Sequence, residues 1–552
     1  MNFQTRIFVA VALCAAIFMV FNLLNPTPEP TGDEVAAVDG ESVDGESVDG
    51  ESKGDGEAKA KAKAGESEPS EPAVDPTAET VPVEEHVVRN ELLALTLTNA
   101  APGRGGLVSS VELLSPQFEG HTTATDSLGL DGKRTLEVSF TDDDGNLLVP
   151  RGAAYQVREV SDRRVTLAWV GAELEVIERI ELLEDYEARM EVEVKNLAGD
   201  PISARVNLRS RIGLSESRYD IRRGLCRTHD DVEDEDHSDV DDGPIRYGPG
   251  IEWAGVDGKY FTMLMVPGQA AQDCEIAQSD DGSAMEIRLT TVATEIDAGR
   301  AATHVFGLYV GPKELERLEA FSAVDTGVHL DEAIDWGFFQ GISKWLGTLL
   351  LGLLRWFYGL VGNWGWSIVL LTVLIKAATL PLTLKQMSSM KRMKEIQPEM
   401  AKIKEKYSDD RVKQGQEMQA LFARSGVNPL AGCFPMVVQL PIWFALYSML
   451  GAAVELVHVP FLWLPDLTEQ DPFYILPLAL GALMILQNRM MPNTMDAAQA
   501  KLMRWVMPIM FTVFMLFLPS GLGVYIFANI VLSLVQTAIQ VGTNKQTEAP
   551  AT

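Results

Sequence analysis

The sequence predicts an α-helical membrane bundle of six transmembrane helices joined to an external all-β sandwich. Three observations predict it. Residues 25 to 330 are polar and acidic, whereas residues 336 to 540 are dominated by apolar runs. The polar part shows short period-two alternation broken by Gly, Asp and Asn, which reads as antiparallel strands. The apolar part is cut by loops of unequal charge, as in multi-span membrane proteins. The formal net charge of −32 argues against nucleic acid as a partner, because phosphate binding needs clustered Lys and Arg.

The first span, Ile7–Leu24, holds 18 largely apolar residues behind Arg6, and residues 1–6 are expected in the cytoplasm. It ends in Asn-Leu-Leu-Asn-Pro without the small residues of a cleavage site, so an uncleaved anchor is preferred to a signal peptide. Leu13 before Cys14 is too bulky for a lipoprotein signal. Residues 25–85 carry three tandem Val-Asp-Gly-Glu-Ser units from Val38 and almost no large apolar side chains. Such a stretch cannot offset the entropy of ordering, which predicts a disordered acidic tether rather than a calcium site.

Residues 86–325 form the predicted sandwich, with strands at Leu92–Leu97, Thr135–Phe140, Arg164–Val170 and Arg189–Val194. Within it, Asp230–Asp242 has nine acidic residues in thirteen and is expected as an exposed loop, since it lacks the Gly and spacing of a calcium loop. Cys226 and Cys274 could pair if this part is exported, a choice the sequence leaves open. Residues 326–365 contain an amphipathic stretch, Asp335–Leu354, with Phe338, Ile342, Trp345, Leu349 and Leu353 at helical spacing. It fits a helix lying on the membrane surface or one packed on its neighbours.

Five further spans follow within 366–540: Trp366–Leu384, Pro429–Val454, Tyr474–Gln487, Trp505–Leu518 and Gly521–Gln540. Residues 385–427 form a predicted hairpin of two helices, Gln386–Tyr407 and Arg411–Phe422. Lys385–Arg424 has ten Lys or Arg against six acids and is assigned to the cytoplasm. Glu455–Asp471 has four acids and no Lys or Arg and is assigned outside. Six crossings then put the sandwich outside and the tail, 541–552, inside with the N-terminus.

One ionisable residue interrupts the spans. Lys376 sits about 12 Å from the end of its span at 1.5 Å per residue, too deep for its stem alone to reach the interface. A cation at that depth costs several kcal/mol in lipid and marks a polar cavity. Thr372, Gln439, Gln487, Asn529, Ser533 and Gln536 are candidates to line it, though each also fits a simple helix–helix hydrogen bond. Met436, Leu440, Phe444, Met507, Phe511 and Phe514 offer apolar contacts beside it. Met387, Met390, Met393 and Met400 recur every three or four residues on the hairpin, as packing contacts or as an adaptable apolar surface. Phosphate loops, HExxH pairs, GxSxG elbows and metal-ligand spacings are all missing from the sequence, so neither covalent catalysis nor a cofactor or metal is expected.

Several motifs then carry a resemblance. They are Tyr309–Lys313, Gly362-Asn363-Trp364-Gly365-Trp366-Ser367, Pro381-Leu382-Thr383, Val427–Pro435, Gln439-Leu440-Pro441-Ile442, Asp471–Pro477 and Pro519–Leu522. In order and spacing they resemble the YidC insertase family, with Asn99, Gly106-Leu107-Val108, Trp253 and Tyr260-Phe261 as weaker matches in the sandwich. The resemblance implies the Gram-negative form, with a periplasmic β-supersandwich and an inner-membrane bundle whose last five helices form the insertase core. It implies a groove open to cytoplasm and lipid, closed outside, carrying one positive charge. Nascent membrane proteins would be the clients, with the Sec translocon, the lipid bilayer, and ribosome or signal-recognition components as partners. Lys376 stands where the family often has Arg, which keeps the charge and loses the forked donor. The C-terminus lacks the basic tail of some members. A transporter would show inverted repeats among its spans, and none is visible; an envelope-assembly scaffold is the other rival.

Overall fold

The computed structural model describes residues 60–61, 82–99, 107–115, 118, 135–150, 153–214, 222–279, 281–337, 340–408, 410–426, 434–490 and 502–547. The first span Ile7–Leu24, most of the tether 25–85, Val427–Cys433 and the end of the tail lie outside the described residues. The chain divides into two compact units. One takes in Ile375–Leu440 and Met484–Pro508; the other takes in Lys59–Leu374, Pro441–Leu483 and Ile509–Thr552.

The second unit contains the β domain. Its nine-stranded antiparallel sheet runs, edge to edge, through Val232–Asp236, Arg223–Arg227, Trp253–Asp257, Phe261–Pro267, Ala301–Pro312, Glu187–Asn196, Leu174–Leu182, Arg164–Val170 and Gln156–Val160. A second sheet is built on Ile202–Gly213, Ala284–Thr290, Asp273–Gln278 and Ile245–Tyr247. It adds Glu137–Thr141, Thr294–Ile296 and the two residues Ala60–Lys61, which fall inside the expected tether. Three short strands from Glu85 to Leu113 form a third sheet. The alternation that predicted strands is the alternation that buries them: Leu174, Val176, Ile180 and Leu182 face inward along one strand. The residues between them carry paired charge on the outer face, in Arg158–Glu175 and Arg164–Glu181 at 2.7 Å and Arg179–Glu193 at 2.9 Å.

The two large sheets are joined covalently. Cys226, in Arg223–Arg227, is disulfide-bonded to Cys274, in Asp273–Gln278, with Cα atoms 6.1 Å apart and both side chains buried. Beside them, a side chain at Gly224 would collide with Ile276 and Ile287 of the opposing sheet, so close approach requires glycine there. Lys313 is buried with Asp257 at 3.1 Å, and Arg223 reaches the same carboxylate at 3.0 Å. The expected acidic loop is corrected: Val232–Asp236 is an edge strand paired with Arg223–Arg227. Its charge is tolerated because Asp234 meets Arg223 and the buried Glu235 accepts a hydrogen bond from the Tyr247 hydroxyl.

Helix α1 (Leu315–Glu319) and a 3-10 turn (Leu330–Ala333) lead to α2 (Gln340–Val361). This helix starts later and ends later than expected, and its buried stripe is Ser343, Gly347, Leu350, Leu351 and Leu354. The apolar stripe through Trp345 and Leu349 lies on the exposed side of the helix. Gly347 is the reason: the Trp336 ring sits where a Cβ would be, so that face docks inward.

Among the described residues six helices follow: α3 (Trp364–Lys406), α4 (Arg411–Ser425), α5 (Phe434–Ala452), α6 (Ile475–Met490), α7 (Met507–Met515) and α8 (Ser520–Thr547). The expected hairpin helix from Gln386 is the continuation of the span, so α3 runs 43 residues through Pro381 and Pro398. A five-residue π-turn, Leu502–Val506, precedes α7. Among the described residues, two helices are long and apolar enough to cross a membrane, Trp364–Lys385 and Ser520–Ile539; Ile475–Met490 and Arg504–Met515 are shorter apolar helices.

Two predictions follow from the β domain. Glu178 is buried on the inner face of Leu174–Leu182, where burial pushes its carboxyl up to about 8 with the Tyr155 hydroxyl as partner. The folded domain therefore holds a proton that the unfolded chain releases near its ordinary carboxylate range. Stability from this group is full at acid pH, falls as pH rises, and levels off above about 8. Glu178→Gln should flatten the pH dependence of the thermal midpoint and raise it at neutral pH. Replacing Cys226 and Cys274 together by Ala should destabilise the domain by about 2–5 kcal/mol. In the native full chain, thiol alkylation should leave both cysteines unmodified until a reductant is added.

Candidate functional site

In the first unit the sole ionisable side chain of the Trp366–Leu384 span is Lys376, and it is half-buried. It lies three turns into α3 at about 1.5 Å per residue, on the same helix face as Thr372 one turn earlier. Thr372 is buried and its hydroxyl donates to the Ile368 carbonyl at 2.7 Å. One turn beyond Lys376, Thr379 donates in the same way to Ile375 at 2.9 Å, and Thr383 donates to Thr379 at 3.1 Å. These back-bonds flank Pro381, which lacks an N–H and opens the helical ladder.

Gln439 on α5 and Gln487 on α6 are half-buried, and Leu440 is exposed beside Gln439. Met507, at the start of α7, is exposed. Arg489, at the end of α6, lies over the Trp505 ring with 5.7 Å between guanidinium and centroid. On the α3 extension Met393 and Met400 are half-buried; the side chains of Met387, Met390 and Met436 lie outside the described ones. A Gln414 amide donates to the Lys404 carbonyl at 3.1 Å, and Asp410 caps α4 through the Lys413 N–H at 2.9 Å, so α4 folds back against the end of α3.

In the second unit, α8 brings Asn529, Ser533 and Gln536 onto one face at spacings of four and three. All three are half-buried, and Ser533 donates to the Asn529 carbonyl at 2.7 Å. The Gln536 amide nitrogen is buried without a hydrogen-bond partner among the described residues. Phe511 and Phe514 are neighbours on α7, Phe514 the more exposed, and Phe444 is half-buried on α5.

The second unit also contains a hydrogen-bonded loop whose organisation the sequence did not reveal. The loop of residues 453–474 is organised by two aspartates. Asp466 accepts from the His458 N–H at 2.9 Å and from the Thr468 N–H and hydroxyl at 2.7 Å each. Asp471 accepts from the Phe473 N–H at 3.0 Å, the Leu476 N–H at 2.6 Å and the Trp463 indole at 3.2 Å. It thereby caps α6, while the start of α8 hangs on the same loop. Ser520 donates to the Asp466 carbonyl at 2.8 Å and Gly521 to the Leu467 carbonyl at 2.7 Å. Arg355 of α2 grips Glu455 at 2.5 Å and also pairs with Glu316 of α1. Gly365 has no room for a side chain against Phe461. The Asp-Pro pair before an apolar run was the available signal for the α6 cap; the Arg355–Glu455 pair, a hundred residues apart, had none.

Comparison with known proteins gives these local features a common frame. Residues 91–349 match the family model of the YidC periplasmic domain, and residues 356–547 that of the 60Kd inner membrane protein. A membrane protein insertase YidC of Anaeromyxobacter sp. is 40% identical over 331 residues, which is 60% of this chain and 58% of that protein. The YidC of Marinobacter nauticus is 33% identical over 443 residues, 79% of this chain and 72% of the relative. The match thus spans about three-fifths of the first relative's length and nearly three-quarters of the second's. A crystal structure of an active YidC insertase with its first transmembrane domain resolved covers 83% of this chain and 93% of its own, at 18% identity and a TM-score of 0.35. On the extent and identity of the Marinobacter match, this chain belongs to the YidC family of membrane protein insertases.

Proposed function

We propose that this protein inserts nascent membrane proteins into the bacterial inner membrane through a hydrated groove carrying the charge of Lys376. The β domain lies in the periplasm, both termini in the cytoplasm, and six helices cross the bilayer. The observation that carries the reading is the single ionisable residue in the Trp366–Leu384 span, half-buried one turn from a hydroxyl-bearing face. A cation in that position lowers the cost of bringing a carboxylate or a short polar flank to membrane depth.

The sequence of events follows from solubility. A client's apolar segment first meets the hairpin methionines Met387, Met390, Met393 and Met400, then lies against Met436, Leu440, Phe444, Met507, Phe511 and Phe514. Its polar flank enters the groove beside Lys376, with Thr372, Gln439, Gln487, Asn529, Ser533 and Gln536 keeping that space wet. Release of the apolar segment into lipid supplies the driving force at about 25 cal/mol per Å2 of apolar surface, so no nucleotide is needed. The shortness of the apolar helix Arg504–Met515, about 18 Å, supports a locally thin bilayer across which the flank travels less far. The loop organised by Asp466 and Asp471 supports a groove sealed on the outer side. The protein acts alone or beside the Sec translocon, with the ribosome delivering clients.

Insertion of a short client with an acidic external tail should fall at least tenfold in liposomes bearing Lys376→Ala, further in Lys376→Glu, and be retained in Lys376→Arg. A client with a neutral tail should be affected much less. Normal insertion of the acidic client by the Glu variant would show that the charge plays no part.

A further inference from the structure

Within the tether, Ala60–Lys61 adds a strand at the edge of the second large sheet. It runs antiparallel to Ile245–Tyr247, with Ala60 opposite Arg246 and Lys61 opposite Ile245. Residues directly across an antiparallel pair share a face of the sheet. The next strand in shows which face this is, because there Tyr247 is opposite Cys274 and Ile245 is opposite Ile276. Cys274 is bonded to Cys226 of the nine-stranded sheet, and Ile276 lies where a side chain at Gly224 would stand. Ile245, Tyr247 and the register position of Lys61 therefore belong to the inner face of the sandwich. On the opposing sheet the edge strand is Val232–Asp236, in which Glu233 is opposite Cys226 and Glu235 is opposite Gly224. Both acids thus share the inner face from the other side. The Tyr247 hydroxyl donates to Glu235, which is only 4% exposed, so the two edges meet there.

We propose that Lys59–Lys63 is a docking strand, which pairs along Ile245–Tyr247 and presents its lysines to Glu233 and Glu235 across the edge of the sandwich. The run Lys-Ala-Lys-Ala-Lys alternates at the strand period. Continuing the register from Lys61 puts Lys59 level with Tyr247, and Lys63 follows on the same face. The alanines fall on the other face, on the side of Arg246, whose guanidinium pairs with Glu275. Charge selects this part of the tether as the occupant. Residues 25–85 carry four lysines and no arginine, and three of the four are in this run. The acidic repeats would meet Glu233 and Glu235 with like charge. A buried acid gains most from a cation whose position a backbone ladder already fixes. Alanine and lysine are poor strand formers, so the order of this segment depends on the edge it joins and on the acids beside it. Once seated, the strand covers backbone groups that another extended chain could pair with. The docking concerns the β domain and its tether alone and does not involve Lys376.

The test uses the full chain in detergent, with Cys14→Ser and Cys433→Ser so that added thiols report alone. Ala60→Cys with Arg246→Cys places two thiols directly across the ladder. Ala64→Cys with Arg246→Cys has nearly the same length of tether in the wrong register and serves as the control. Under mild oxidation the first pair should close within one chain at least fivefold faster than the control. Adding Lys59→Glu, Lys61→Glu and Lys63→Glu should abolish that difference. Without any added cysteine, amide hydrogen exchange at Ile245–Tyr247 should be at least fivefold faster in the triple glutamate variant, a reading that leaves Arg246 untouched. Equal closure by the two pairs would overturn the proposal. So would a disulfide between chains in place of the internal one, or exchange that the glutamates leave unchanged.

Discussion

The starts of α6 and α8 depend on a loop built around two carboxylates. Without Asp466 and Asp471, the first N–H groups of α6 and the irregular backbone around Thr468 would face an apolar environment with no acceptor, at a cost of about 1–3 kcal/mol for each buried group. The loop adopts left-handed backbone at His458, Leu462 and Tyr474, three non-glycine residues, and the hydrogen bonds to the aspartates hold it there. Hydrogen-bonding groups gathered on one loop satisfy the first backbone groups of α6 and α8. The same loop reaches α2 through Glu455 and Arg355, and from there α1 at the end of the β domain.

The β domain solves a different problem. Its two large sheets are held together by a disulfide and by a glycine at their closest approach, and within the nine-stranded sheet a buried Asp257 is shared by Arg223 and Lys313. A charge triad of that kind is weak as a source of stability, because desolvation offsets most of its Coulomb energy. Its use is geometric, since it fixes the Tyr309–Lys313 strand end from which α1 and α2 depart.

Strand positions were legible wherever alternation was regular. Arg164–Val170 is a strand with the expected ends, and Leu174–Leu182 shows why, since inside and outside alternate along every residue. The acidic strand Val232–Asp236 was not legible, because its partners Arg223 and Tyr247 are neighbours only after folding. Which face of α2 packs on protein was left open by the sequence for a related reason. Apolar periodicity locates an apolar sector, but it cannot tell which of two sectors meets protein and which meets lipid, and a single glycine against Trp336 decides. Lys376 stood out because one charge among apolar residues needs no partner to be noticed. The helix running on past Leu384 was hidden by a change from apolar to charged composition, which alters the solvent of a helix without ending it.

The outward face of the nine-stranded sheet has a consequence of its own. Arginines and glutamates alternate across neighbouring strands there, each cation opposite an anion. A protein that inserts apolar segments, as proposed above, would run the risk of being fouled by them, and broad β surfaces are prone to such adhesion. A lattice of mutually satisfied charge offers a passing chain little unbalanced field and few apolar footholds, which would keep this side of the domain clean.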